Sequence, residues 1–453
     1  MTWDFAEGNP LSQSSGNLSN NVEWVAKVVD NLIGGASSQA VQADASNQRI
    51  SAGKVVSTDP PYYDNVGYAD LSDFFYVWLR RTMRHVFPDL FATLTVPKTE
   101  ELIATSYRHG GKQAAEAFFM DGMTRAIHNL AEHANPSFPV TIYYAFKQSE
   151  SGKDGTSSTG WETFLEAVQI AGFAVVGTWP MRTELSNRMI GMGTNALASS
   201  IILVCRKRPE SAGMTTRRDF QAQLRQELPR ALRDLQHGNI APVDLAQSAI
   251  GPGMAIYSRY RKVVEADGSP MKIRMALALI NEALDEVLAE QEGELDADSR
   301  WAVAWYSEYG TGEGPFGRAD DLSRAKNTSV DGLTQAGIVH AKSGQVNLLR
   351  REEMDPDWNP ATDQRLTVWE ATQYLIRTLE NDGETEAAEL LARLGGVADQ
   401  ARDLSYRLYV LCERKGWAEE ARSYNGLVIA WPELLRLSNQ AELPADLRQP
   451  GLF

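Results

Sequence analysis

Cysteine is scarce in this chain: Cys205 and Cys412 are the only two in 453 residues. So few exclude a disulfide framework and an all-cysteine zinc site, and no Cys/His group stands at metal-ligand spacing. Long apolar runs are missing as well. No stretch approaches the roughly 20 residues that cross a bilayer. Met1-Thr2-Trp3-Asp4-Phe5-Ala6-Glu7 lacks the basic-then-apolar order of a signal peptide. A repeat period and low-complexity tracts are absent too. These absences point to a soluble, cytoplasmic protein with no metal centre and no membrane partner. Basic charge is in deficit, with 44 Lys+Arg against 59 Asp+Glu and a net of −15. A duplex-binding surface is normally basic, so the placement of charge matters. Residues 1–207 carry 16 basic against 20 acidic side chains, and the remainder 28 against 39. Any nucleic-acid groove therefore belongs in the first half, with solvated acidic faces elsewhere.

What is present is ordinary globular composition, 43% hydrophobic and 23% charged, in a chain long enough for two or three domains. A polar loop over 9–21 leads to an apolar-periodic helix from about Val22 to Ile33, stopped by Gly34-Gly35. A strand, Lys54–Thr58, then ends at Asp59-Pro60-Pro61-Tyr62, because two prolines cannot continue a central strand. Helices are predicted over Leu71–His85 and Lys112–His133, and a strand over Val140–Phe146. A helix around Trp161, Phe164, Leu165 and Val168 closes at Gly172. Strands Phe173–Val176 and Ala198–Cys205 follow. Strands alternating with helices predict an α/β fold with a mostly parallel sheet covered on both faces.

Beyond Arg208 the strands nearly vanish. Helical pattern fills 215–237, 270–292, 298–309 and three stretches between 367 and 437. Residues 319–352 differ, reading as helix, turn, helix and a hairpin turning at Ser343-Gly344. Two short helices and a β-wing fit a winged helix, a helix-turn-helix relative. A plain helical pair with a hairpin fits equally.

The residues that carry chemistry are Asp59, Pro60, Pro61 and Tyr62, at the carboxyl end of a strand, where open α/β sheets bind ligands. An exocyclic amine on a nucleobase is a poor nucleophile, since its lone pair is delocalised into the ring. Two acceptors aimed at its N–H bonds favour the pyramidal form. Asp59 can supply a carboxylate and Pro60 a carbonyl, both fixed by the rigid turn. The prolines also remove two N–H donors from the pocket wall. Tyr62 offers a face on which a flipped base can stack, worth about 1–3 kcal/mol. The competing interpretation is a strand-ending turn with a buried tyrosine.

This tetrapeptide is the catalytic motif of the amino-group DNA methyltransferases that use S-adenosyl-L-methionine. The longer string from Ser57 through Tyr63-Asp64-Asn65-Val66-Gly67-Tyr68 to Phe74-Phe75-Tyr76-Val77-Trp78-Leu79-Arg80-Arg81 resembles one branch of them. That branch is the large adenine-specific DNA methylases described as containing a zinc ribbon, whose genes often lie in anti-phage clusters. Tyr107–Lys112, Thr141–Lys147, Asn195–Ser200, Tyr309–Gly317 and Lys326–Val330 are similar to the same family. The resemblance implies base flipping and methylation of the adenine amine in double-stranded DNA. It implies part of a Rossmann-like methyltransferase sheet, with Asp59, Pro60, Pro61 and Tyr62 as site residues and other anti-phage proteins as partners.

One feature of that family is missing. Its members bear an Asp-Pro-Phe-Ala-Gly-Gly-Gly-like cofactor loop and a zinc ribbon upstream of the segment seen here. Gly34-Gly35 follows a helix, Gly191-Met192-Gly193 precedes a strand, and Gly310–Gly314 follows a helix with Pro315 blocking one behind it. None has the strand, loop, helix order that a cofactor loop needs. The expectation is a carboxyl-terminal part or one half of a split enzyme, whose partner subunit or amino-terminal half carries the S-adenosylmethionine loop. The alternative is a reduced, complete fold in which Trp3–Pro10 lines the pocket.

Further assignments are inferences from residue type. Arg80, Arg81 and Arg84, beside His85, can touch phosphates or form a solvated helix end. Arg108, His109 and Lys112 flank Gly110-Gly111 ahead of a helix and can clamp a phosphate or form an exposed turn. Asp4 and Glu7 can hold a cofactor ribose or lie in a surface loop. Asp64 can be a second acceptor or a turn cap. Tyr143 and Tyr144 alternate on a strand, so one can face the site, while core packing is the favoured role of both; Trp78, Trp161 and Trp179 read as core. The expected division is a catalytic portion at 1–207, a helical linker region at 208–300, a winged-helix-like module at 301–352 and a helical region at 353–453. The leading function is adenine methylation in a defence or modification system. Its rivals are methylation of the cytosine amine and a non-catalytic DNA-binding or assembly subunit.

Overall fold

The computed structural model describes residues 9, 11–13, 17–32, 38–63, 66–144, 159–182 and 199–441. Residues up to Asp44 form one unit and those from Ala45 onward another. The first holds a single described helix, α1 (Leu18–Asn31), capped by the Asn17 side chain, which accepts from the Asn20 amide at 2.8 Å. Val22, Val25, Val29 and Leu32 recur along it at helical spacing and are exposed.

The second unit opens with β1 (Ser57–Thr58), then α2 (Tyr68–Met83), α3 (Ser106–His109), α4 (Lys112–His133) and β2 (Val140–Tyr144). There follow α5 (Thr159–Ile170), β3 (Phe173–Arg182) and β4 (Ser199–Lys207). These strands form one sheet in the order β1-β2-β4-β3. β1 pairs parallel with β2, in the register Ser57 to Thr141. β4 is antiparallel to both of its neighbours. The sheet is therefore mixed, where the alternation of strands and helices predicted a mostly parallel one. Only one of the three pairings is parallel, because β4 returns between β2 and β3. A parallel crossover needs a dozen or more residues, usually a helix; β3 instead runs on to Arg182, well past Val176, and β4 turns back against it.

Successive strand residues point to opposite faces. Consecutive burial from Ile201 to Cys205 thus means that both faces of β4 are covered. The cover includes α4 and α5 together with β5 (Met214–Thr216), α6 (Arg217–His237), α7 (Pro242–Ser258), β6 (Lys262–Val264) and α8 (Ile273–Gln291). Phe119, Trp161, Phe164, Leu224, Met254 and Ile280 belong to a single apolar core. Of residues 208–300, expected as a helical linker region, β5 to α8 pack into the core of the sheet. α7 was not foreseen. It is buried at 14 of its 17 residues, so no amphipathic period betrays it.

Two contacts seat α7 against β3. Gly251 lies where an added Cβ would fall 2.0 Å from the Thr178 hydroxyl. The Ser258 hydroxyl accepts from the Val175 amide at 2.8 Å and donates to the Val175 carbonyl at 3.3 Å. It occupies the place a neighbouring strand would take.

A second core begins at α9 (Ala297–Tyr309) and includes β7 (Gly314–Pro315), α10 (Phe316–Lys326), α11 (Val330–Gln335), β8 (Val339–Lys342) and β9 (Gln345–Leu348). The three strands form a sheet in the order β7-β9-β8. Pro315, expected to block a helix, is instead the N-cap of α10, where a missing N–H costs nothing. α12 (Val368–Asn381), α13 (Glu384–Leu394), α14 (Gly396–Lys415) and α15 (Ala418–Ala441) complete this core. Among the described residues no helix is long and apolar enough to cross a membrane.

Candidate active site

β1 stops after two residues because Pro60 and Pro61 bring no N–H to a ladder. Its neighbours hold it firmly. The Thr141 amide donates to the Val56 carbonyl at 3.1 Å, the Asn135 amide to the Lys54 carbonyl at 2.9 Å, and Thr141 Oγ1 to Ser57 Oγ at 2.9 Å. Asp59 lies just beyond, at the carboxyl end of β1, with its side chain exposed. Pro60, Pro61 and Tyr62 are half-buried. The corner is thus open on one side and braced on the other. Partial burial raises the Asp59 carboxyl above its ordinary value.

The brace is aromatic. Tyr62 meets Tyr144 edge-to-face, with ring centroids 5.4 Å apart, and Tyr144 stacks on Phe164 at 4.2 Å. Such pairs prefer edge-to-face or offset stacking, each worth roughly 0.5–1.5 kcal/mol beyond area. Tyr63 meets Phe119 edge-to-face at 5.2 Å, and its carbonyl accepts from the Ala104 amide at 2.7 Å. The Tyr63 amide donates to Tyr144 Oη at 3.4 Å. Tyr144 is the member of the tyrosine pair that touches the motif; Tyr143 is half-buried. Residue type alone favoured neither, since alternation on a strand does not say which face the corner occupies.

The basic residues separate into engaged and free. Arg108 is 9% exposed at its side chain and is held by Glu101 and Asp70, each at 2.5 Å. Asp70 also accepts from Tyr107 Oη at 2.7 Å. Arg108 is therefore no phosphate clamp: both sides of its guanidinium are occupied, and these partners hold its pKa above the usual value. Arg80 is half-buried and donates through Nε to the Phe91 carbonyl at 3.2 Å. Arg81, Arg84 and His85 are exposed. His109 lies half-buried on Phe118, ring centroids 4.1 Å apart, which leaves it poorly placed for DNA. Lys112 is exposed and 4.0 Å from Glu116. Gly110 and Gly111 take φ of +75° and +130°, values that only glycine adopts without strain. This pair turns the chain from α3 into α4.

Asp4, Glu7, Asp64 and Gly191–Gly193 lie outside the described residues. Trp161 is core, as expected. Trp78 and Trp179 are not, being 60% and 55% exposed. The expectation failed because periodicity identifies an apolar face without saying what covers it. The grip of Glu101 and Asp70 on Arg108 left no trace in sequence, since one partner is 7 and the other 38 residues away.

S-adenosylmethionine needs a strand, a glycine loop and a helix to cradle it. Among the described residues no such cradle stands beside the corner.

Residues 296–452 match the family model of a domain of unknown function (DUF8807). The match starts at Asp296, the N-cap of α9, takes in most of the second core and excludes the Asp59 corner. No curated protein and no solved structure matches the chain.

Proposed function

We propose that the chain contributes the acceptor half of a DNA adenine methyltransferase. What carries the reading is the corner itself. Asp59 is exposed just beyond β1, and Tyr62, half-buried against the core, meets Tyr144 edge-to-face. In this role the carboxylate and the Pro60 carbonyl accept the two N–H bonds of an extruded adenine, and Tyr62 gives its ring a surface to lie on. The transferable methyl would come from S-adenosylmethionine held on a partner half. The sheet belongs to a Rossmann-like fold on this reading, with β4 as an antiparallel insertion. Duplex DNA is gripped farther along, by α10, α11 and the β8–β9 hairpin acting as a winged helix. Thr334 and Gln335 of α11 and Lys342 to Gln345 at the hairpin tip present exposed polar groups for that purpose.

A non-catalytic assembly subunit is the second reading, favoured by the lack of a cofactor cradle among the described residues. One experiment separates the two. The chain is mixed with the amino-terminal, glycine-loop-bearing half of a methylase of the resembled family, and radiolabelled methyl transfer to duplex DNA is followed with and without Asp59→Ala. Transfer that needs Asp59 supports catalysis; no transfer, or transfer indifferent to Asp59, refutes it. Methylation-sensitive nucleases then distinguish adenine from cytosine.

A further inference from the structure

The helix that follows the corner is inside out. On α2, the side chains turned toward the rest of the chain are polar. Asp70 is held by Arg108 and Tyr107, Asp73 by Lys98 at 2.6 Å and the Val96 amide at 2.8 Å. Tyr76 Oη donates to the Thr93 carbonyl at 2.9 Å, and Arg80 reaches Phe91. The outward stripe is Leu71, Phe74, Phe75 and Trp78, between 60% and 69% exposed. Of the 16 residues of α2 only Ala69 is buried. Side chains at i, i+3, i+4 and i+7 are the anchors of a helix that lies in an apolar groove. With the neighbouring Leu79 and Phe87 they expose on the order of 700 Å², close to the ~800 Å² that each partner contributes to a standard stable interface.

The sheet points the same way. Among the described residues β1 is an end strand with no neighbour on its outer side, and Val55 just before it is exposed. The opposite end strand, β3, has its edge occupied by Ser258 of α7. One edge is covered and, among the described residues, the other is not, and an unpaired strand edge is a template for another strand.

We infer that the outward stripe of α2 and the outer edge of β1 form a docking face for a second polypeptide, which covers the stripe and continues the sheet beside β1. The occupant is the half-enzyme that bears the cofactor loop. In that identity, though not in the surface itself, the inference rests on the function proposed above. Arg81 and Arg84 flank the stripe and make no ion pair among the described residues, so the matching groove carries carboxylates on its rim.

The test uses the full chain and the separately expressed amino-terminal half of a methylase of the resembled family, followed by sedimentation velocity and calorimetry. The expected result is a one-to-one complex. Phe74→Asp with Trp78→Asp should weaken it at least 100-fold while leaving the far-ultraviolet spectrum and melting temperature unchanged. Asp59→Ala should bind as the parent does. A complex that ignores the double substitution overturns the inference, as does no complex at 100-fold the chain's working concentration. So does a homodimer that the double substitution dissolves, or a loss of DNA binding by the double variant with the complex intact. If the complex forms through α2 but transfers no methyl group, the docking face stands and the catalytic proposal falls.

Discussion

α2 and α7 are both rich in apolar residues, and their surroundings are opposite. α7 is buried at nearly every position, with Gly251 shaved to admit Thr178 and Ser258 bonded to Val175. α2 turns carboxylates inward and phenylalanines outward. Burial is decided by what lies opposite a helix as much as by its composition. In α7 the opposing surface belongs to this chain, and on the docking proposal above the surface opposite α2 belongs to a partner. Substitutions around α7 should therefore cost stability. Those around the corner and α2 should cost function or association and leave stability alone.

The largest effect expected is on the open side. Asp59→Ala in the reconstituted pair should lower methyl transfer by about 10²–10³-fold with no change in melting temperature; unimpaired transfer would break the assignment. Because the Asp59 carboxyl is raised above its ordinary value and works only when ionised, activity should fall as pH drops through a limb above the usual carboxylate range.

On the closed side, Met254→Ala should destabilise by roughly 2–5 kcal/mol in chemical unfolding, whereas Phe75→Ala should stay within about 0.5 kcal/mol. Equal losses at both positions would erase the contrast between the helices. The second core supplies a pH effect. Glu370 is 2% exposed, and burial, with Asp363 nearby, pushes its carboxyl up to about 8. The folded form then keeps its proton where the unfolded chain has lost it, so stability should fall as pH rises from about 4.5 to 8 and level off above. Glu370→Gln should flatten that slope, read from melts at several pH values; an unchanged slope would place the titrating group elsewhere. Smaller still, Gly251→Ala should cost about 1–3 kcal/mol by forcing a methyl group against Thr178.

The elements with a clear period were legible. α4 lies at the predicted residues, and α6, α8 and α9 start and stop within a few residues of the pattern. β1 and its proline stop were legible because Pro60 and Pro61 leave no alternative. α7 was invisible because a helix buried all round has no polar face to set a period. The antiparallel return of β4 could not be read either, since alternation in sequence does not reveal strand direction. At the site, the motif announced itself, while its brace did not. Tyr144 reaches Tyr62 from a separate strand, and Arg108 proved to be held by two carboxylates rather than free for phosphate. Charges close in space are paired by the fold, and a linear reading sees only that they exist.

The hydroxyl of Ser258 on the Val175 backbone has a consequence for assembly. A sheet open at both ends can stack head to tail without limit, and such non-closing contacts build fibres. With its far end covered by α7, this sheet has one open edge among the described residues, and a further strand can join it only there.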